Sequence, residues 1–118
     1  MKTVTVYGIK NCSTVKKALK WLSDHQIEYQ FHDYKLSGIT EDRILIWQRI
    51  FGWEPLVNRK GMTWRKLEKT QQDLITDASS ARMLMIEKTS LIKRPILEYD
   101  AQTLLGFDAD AYRELFKV

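Results

Sequence analysis

Val4 and Val6 alternate with Thr3, Thr5 and Tyr7, the period of two expected of a β-branched strand, and Gly8 breaks the run. Val15, Ala18, Leu19 and Leu22 then recur at helical spacing behind Ser13 and Thr14, whose hydroxyls suit a helix N-terminus. A helix is therefore predicted from at or just after Cys12 to near His25-Gln26. From Ile27 to Tyr34 aromatic and polar residues alternate, with Tyr29, Phe31 and Asp33 on one side, which reads as a second strand. Two strands joined through a helix form a β-α-β unit, parallel and right-handed in its crossover.

Beyond it, Thr40 caps a segment with Glu41 and Asp42 in its first turn, and Ile44, Leu45, Trp47 and Ile50 give that helix an apolar face up to Gly52. Leu56 to Gly61 has no clear period; Asn58-Arg59-Lys60-Gly61 reads as an exposed turn before a short helix around Trp64 to Leu67. Asp77 to Lys88 repeats the amphipathic pattern through Ala78, Ala81, Leu84 and Met85. Arg94 to Tyr99 and Thr103 to Phe107 flank Asp100-Ala101-Gln102 and predict a hairpin, after which Asp108 caps a last helix that turns Ala109, Tyr112, Leu115 and Phe116 inward. The order is β-α-β, a helical middle over about 40–90, then β-β-α, with no repeat and no linker: an α/β chain read as one domain over 1–118.

Composition narrows the function rather than naming it. With 44% hydrophobic and 29% charged residues in 118, the chain can pack one ordinary core. No apolar run reaches the ~18–20 residues of a membrane helix, and Met1 to Tyr7 reads as a strand rather than a signal peptide, so a cytoplasmic protein without a membrane partner is expected. The single cysteine excludes an internal disulfide, a cysteine-rich zinc site and an internal redox switch. His25 and His32 have no ligand partners at metal spacing, so no metal site is expected. The formal charge of +4 suits an anionic partner, but the lysines and arginines are spread along the chain. Trp21, Trp47, Trp53 and Trp64 are read as core rather than as a stacking platform, and no nucleic acid is expected.

The candidate chemistry rests on Cys12. A cysteine at the first turn of a helix sees about half a positive charge from the helix dipole and unpaired backbone N–H donors, both favouring the thiolate over the thiol of pKa ~8.5. It lies in the polar loop Lys10-Asn11-Cys12-Ser13-Thr14, at the carboxyl edge of the predicted sheet, where α/β proteins bind ligands. Lys10 and Lys16 are close in sequence, and Ser13 and Thr14 are candidate hydrogen-bond partners of the sulfur or of a bound anion as well as caps.

These residues carry a resemblance. The strand and loop Thr5-Val6-Tyr7-Gly8-Ile9-Lys10-Asn11-Cys12-Ser13-Thr14-Val15-Lys16-Lys17-Ala18, the turn Asn58-Arg59-Lys60-Gly61, the segment Ile92-Lys93-Arg94-Pro95-Ile96 and the closing Leu105-Gly106-Phe107 are similar to the ArsC family, which holds the glutaredoxin-linked arsenate reductases and their YffB and Spx relatives. Gly-Ile-Lys-Asn-Cys with Lys-Lys-Ala, and His32-Asp33-Tyr34-Lys35, look most like the YffB subgroup. The resemblance implies a thioredoxin-like fold with a mixed four-stranded sheet and a helical insertion, a cis-proline at Pro95, and Arg59 and Arg94 as anion-binding residues. It implies no bound cofactor, with glutathione as co-substrate and glutaredoxin as a partner of a monomer acting on a small anionic or thiol substrate. Guanidinium groups suit that task because they donate two parallel hydrogen bonds to an oxyanion or carboxylate. Two positions depart from the reductases: Gly106 stands at the third arginine position and Gly8 replaces the histidine before the loop, which argues against arsenate as substrate. The expected function is a glutathione-dependent thiol reductase with Cys12 as nucleophile and Lys10, Ser13, Thr14, Arg59, Arg94 and Pro95 around the ligand. The alternatives are an arsenate reductase, or a Spx-like module binding RNA polymerase, whose Cys-x-x-Cys pair is absent because Val15 stands at the second position.

Overall fold

The computed structural model describes residues 3–118, so Met1 and Lys2 of the predicted first strand lie outside the described residues. Along the chain, β1 (Val4–Gly8), α1 (Ser13–Asp24) and β2 (Gln30–Asp33) are followed by α2 (Tyr34–Ser37), α3 (Glu41–Phe51) and a 3-10 turn at Glu54–Leu56. Next come α4 (Met62–Lys66), α5 (Lys69–Asp73), α6 (Ala78–Glu87) and a second 3-10 turn at Thr89–Leu91. The chain ends in β3 (Ile96–Tyr99), β4 (Gln102–Leu105) and α7 (Ala109–Phe116). It divides into two compact units, one made of the chain up to Asp33 with Arg94–Val118, the other of Tyr34–Lys93, wider than the insertion predicted over about 40–90.

The first unit is a four-stranded mixed sheet in the order β2-β1-β3-β4, the thioredoxin-like arrangement expected from the sequence. β1 pairs with β2 in parallel, Val6 opposite Phe31, and with β3 antiparallel, Val6 opposite Leu97, while β3 and β4 form the expected hairpin. Val4, Val6 and Leu97 bury their shared face against Ala18, Trp21 and Leu22 of α1 and Tyr112 of α7. The alternation of β1 and the three-to-four spacing of α1 are two views of this one core.

β2 is shorter than the alternation of residues 27–34 predicts, for a local reason. Gln26 adopts a left-handed φ of 58° and the Ile27 N–H donates to the Leu22 carbonyl, so Ile27 closes the end of α1 instead of starting the strand. Tyr34, the last residue of the predicted strand, opens α2.

In the second unit Thr40 caps α3 by accepting from the Arg43 N–H, as read from sequence, and Asp77 caps α6 by accepting from the Ser80 N–H. Ile44 and Trp47 are buried as expected, but Ile50 is half exposed, and the inward neighbour of Trp47 is the polar Gln48. Gln48 is satisfied: its Nε2 donates to the Ala78 carbonyl at 2.9 Å and its Oε1 accepts from Arg82 at 2.8 Å, joining α3 to α6. Arg82 also pairs with Glu41 at 3.4 Å. The helix α5 escapes a periodicity argument because Lys69–Asp73 is polar throughout; a capping box between Glu68 and Gln71 specifies it instead.

Gly8 ends β1 where the first turn of α1 crosses closest. A Cβ at this position would lie 2.7 Å from Val15 Cγ2, and Val15 is fully buried. Gly8→Ala is predicted to destabilise the protein by about 1–3 kcal/mol through overpacking. The double variant Gly8→Ala/Val15→Ala should lose less than the sum of the two single losses. Urea unfolding of the three variants measures this, and additive losses would remove the contact from the account.

Candidate active site around Cys12

The turn out of β1 closes when the Cys12 N–H donates to the Ile9 carbonyl, and α1 starts when Lys16 N–H donates to the Cys12 carbonyl. Cys12 itself, with extended backbone angles of −90° and 125°, is the N-cap residue; Ser13 and Thr14 are the first helical residues rather than the cap expected of them. The side chain of Cys12 makes no formed cap hydrogen bond as a thiol. It is nevertheless aimed at the donors that a helix leaves open, because the N–H groups of Val15 and Thr14 face the sulfur.

Cys12 is free and partly exposed. Burial pushes its pKa up, but the Val15 and Thr14 N–H groups and then the Arg94 guanidinium, by charge and by hydrogen bond, outweigh that and hold the thiol below its ordinary value. The cation that acts on the sulfur is therefore Arg94. Lys10, the sequence candidate nearest in the chain, is exposed and makes no such contribution. Ser13 is exposed as well, and Thr14 contributes through its backbone N–H rather than its hydroxyl.

Arg94 is held at the start of the hairpin. The Arg94–Pro95 peptide bond is cis, Pro95 is buried, and the Gly106 N–H donates to the Pro95 carbonyl at 2.8 Å, tying the end of β4 to the proline. Gly106 has a left-handed φ of 79°, the conformation glycine adopts without penalty, and open space surrounds its missing Cβ. The site within the first unit thus combines Cys12, the first turn of α1, Arg94 and Pro95.

Arg59 belongs to the second unit. Its turn is pinned by the Val57–Ile92 bridge, by Asn58 N–H to the Leu91 carbonyl at 2.7 Å and by Lys93 N–H to the Leu56 carbonyl at 2.7 Å. The Arg59 guanidinium carbon lies 5.9 Å from the ring centre of Trp53 and 5.5 Å from that of Trp64. Trp21 and Trp47 are buried as expected, but Trp53 and Trp64 are only partly buried and flank a cation. Sequence reasoning assigned them to the core; the signal available was an arginine between two tryptophans in a segment without an apolar period.

Arg94→Ala is predicted to raise the Cys12 pKa and slow its alkylation by iodoacetamide at pH 7, with Cys12→Ser as the blank; an unchanged rate would take Arg94 out of the site. The sign of the stability effect follows. A thiol whose folded pKa is depressed contributes stability that is complete above the unfolded value, ~8.5, and is lost as pH falls through the folded value. The stability gap between wild type and Cys12→Ser should therefore widen as pH rises through that window, and urea titrations at several pH values measure it.

No helix among the described residues is long and apolar enough to cross a membrane. The ArsC family model matches residues 7–115. Among solved structures, the YFFB (PA3664) protein is 45% identical with a TM-score of 0.90, covering 95% of this chain and 97% of that one. An arsenate reductase (ArsC) related protein from Brucella melitensis is 46% identical with a TM-score of 0.74, covering 98% and 96%. The global transcriptional regulator Spx of Streptococcus agalactiae is 27% identical over 93% of this chain and 80% of its own. With the match running from the end of β1 to the last turn of α7, and the Cys12 loop and the arginine–proline segment both inside it, this chain belongs to the ArsC family.

Proposed function

We propose that this protein is a glutathione-dependent thiol reductase that works with one cysteine. The observation that carries the reading is a partly exposed sulfur whose thiolate is favoured by a helix N-terminus and by Arg94. Membership of a family that contains arsenate reductase-like proteins supports thiol chemistry; the glutathione dependence is inferred from the anion-binding character of the site. Arg94 is read as the group that receives a carboxylate of glutathione beside the sulfur. Arg59 is read as an anion-holding residue of the second unit.

The chemistry balances with external thiols alone. The Cys12 thiolate attacks the glutathione sulfur of a mixed disulfide R–S–S–G. The old S–S bond breaks, R–S⁻ leaves with the electron pair and takes a proton from solvent, and Cys12–S–S–G remains. A second glutathione thiolate attacks the glutathione sulfur of that adduct, releasing oxidised glutathione and regenerating the Cys12 thiolate. The net change is R–S–S–G and glutathione to R–SH and oxidised glutathione. Val15, at the position where a resolving cysteine would stand, is buried against Gly8, so the resolving thiol comes from outside.

Arsenate is a poorer fit to this reading, because Gly106 and Gly8 stand where the resemblance expects an arginine and a histidine. The likeness to Spx raises the alternative of a protein-binding role on RNA polymerase, and nothing in the Cys12 site favours it.

Treatment with oxidised glutathione is predicted to give a single glutathione adduct by mass spectrometry, absent from Cys12→Ser and reversed by reduced glutathione. Reduced glutathione should also protect Cys12 from iodoacetamide. A thiol that alkylates readily but forms no adduct would contradict the glutathione reading while leaving the activated cysteine intact.

A further inference from the structure

Arginines of the second unit differ in what occupies them. Arg82 is committed to Glu41 and Gln48, and Arg65 donates to the Lys60 carbonyl at 2.6 Å. Arg59 is different. Its guanidinium meets no carboxylate and donates no side-chain hydrogen bond among the described residues, and what flanks it is two indole rings, at 5.9 Å and 5.5 Å from the guanidinium carbon to the ring centres. The rings come from opposite sides of the turn, Trp53 from just before the 3-10 turn at Glu54–Leu56 and Trp64 from within α4.

We propose that Trp53 and Trp64 are positioning residues that hold the Arg59 side chain ready to receive a carboxylate. An indole ring attracts a guanidinium through its quadrupole but accepts none of its N–H groups in the ring plane, so the donors stay open while the long side chain loses freedom. An ion pair in the same place would fix the side chain equally well but would occupy the donors that a ligand needs. Rotamer freedom lost before binding is not lost again on binding, which is the gain from preorganisation. The backbone under the residue is fixed too, by the Arg59 N–H to the Val57 carbonyl and by the three contacts with residues 91–93. The ligand class is an anionic thiol carrying carboxylates, of which glutathione is the probe, because a guanidinium fork binds a planar carboxylate through two donors. This inference rests on the reading of Arg59 as an anion-holding residue.

The test is calorimetric binding of reduced glutathione, under anaerobic conditions, to the full chain and to Arg59→Ala, Trp53→Phe/Trp64→Phe, Trp53→Leu/Trp64→Leu and the triple variant with Arg59→Ala. Near-ultraviolet circular dichroism and thermal melting confirm that each is folded; if the leucine pair does not fold, the phenylalanine pair carries the comparison. Arg59→Ala is expected to weaken binding about tenfold, as loss of a charged hydrogen-bonding partner does. The tryptophan variants should weaken it in the order leucine more than phenylalanine, since the cation–π attraction falls from Trp to Phe and vanishes with Leu. Adding Arg59→Ala to the tryptophan pair should cost little more, because both act through one side chain. Glutathione should also shift tryptophan emission in the wild type but not in Arg59→Ala, a readout that a purely structural pair of tryptophans would not give.

Undiminished binding in folded tryptophan variants, with Arg59→Ala weakened, overturns the positioning role and leaves Arg59 as an anion holder. Strictly additive losses overturn it in the same way. Undiminished binding in Arg59→Ala overturns the anion-holding reading itself, and the positioning role with it.

Discussion

The first unit depends on where α1 begins. Cys12 occupies the N-cap, so its sulfur faces the N–H groups of Val15 and Thr14, donors that the helix itself leaves without partners. That arrangement requires the first turn of α1 to run tight against β1, and only a glycine at position 8 leaves room for Val15. The parallel pairing of β1 with β2 and the burial of Val6, Ala18 and Leu22 then fix the helix along the sheet. The thiolate is thus favoured by backbone geometry before any side-chain charge is considered. Desolvation works against it, and it is the sum of fixed dipoles and one guanidinium that decides the direction.

Arg94 enters this site from the opposite end of the chain. The hairpin β3-β4 brings it there, with β3 laid antiparallel on β1 and Pro95 tied to Gly106. Lys10 lies in the exposed turn, and sequence proximity sets no side-chain direction, so the cation that favours the thiolate is Arg94. An arginine suits the task better than a lysine would, being charged at any pH at which the thiol titrates and able to bind sulfur and a carboxylate through different N–H groups. Two arginines on two compact units serve different roles in local structure. One favours the thiolate by charge and hydrogen bond, and the other lies near two indole rings in a turn that residues 91–93 pin.

What was legible in the sequence follows from how local each determinant is. The caps at Thr40 and Asp108 and the alternation of Val4 and Val6 are specified within a few residues, and the elements they predict are present. The β2 boundary was not, because Ile27 is apolar for two possible reasons and the closure of α1 on Leu22 takes it out of the strand. Ile50 was misassigned to the buried face of α3 because Gln48, a polar residue, fills the inward position and is satisfied only by partners 30 and 34 residues away. The setting of Cys12 between a strand and a helix was legible in the sequence; Arg94 was marked by resemblance, and the pairing of β3 with β1 is what carries it to the sulfur. Arg59 is singled out by resemblance alone, and its tryptophan neighbours are not, since periodicity cannot distinguish a half-buried indole facing a cation from one facing the core.

The central claim is that the Cys12 thiol titrates below its ordinary value because of where α1 begins. Its most direct test is the ultraviolet absorbance of the thiolate followed against pH in the unmodified protein, with Cys12→Ser subtracted. The account predicts one titration with a midpoint clearly below ~8.5, the value of a free thiol. A midpoint at or above that value would mean that desolvation prevails over the helix terminus and Arg94, and would contradict the account.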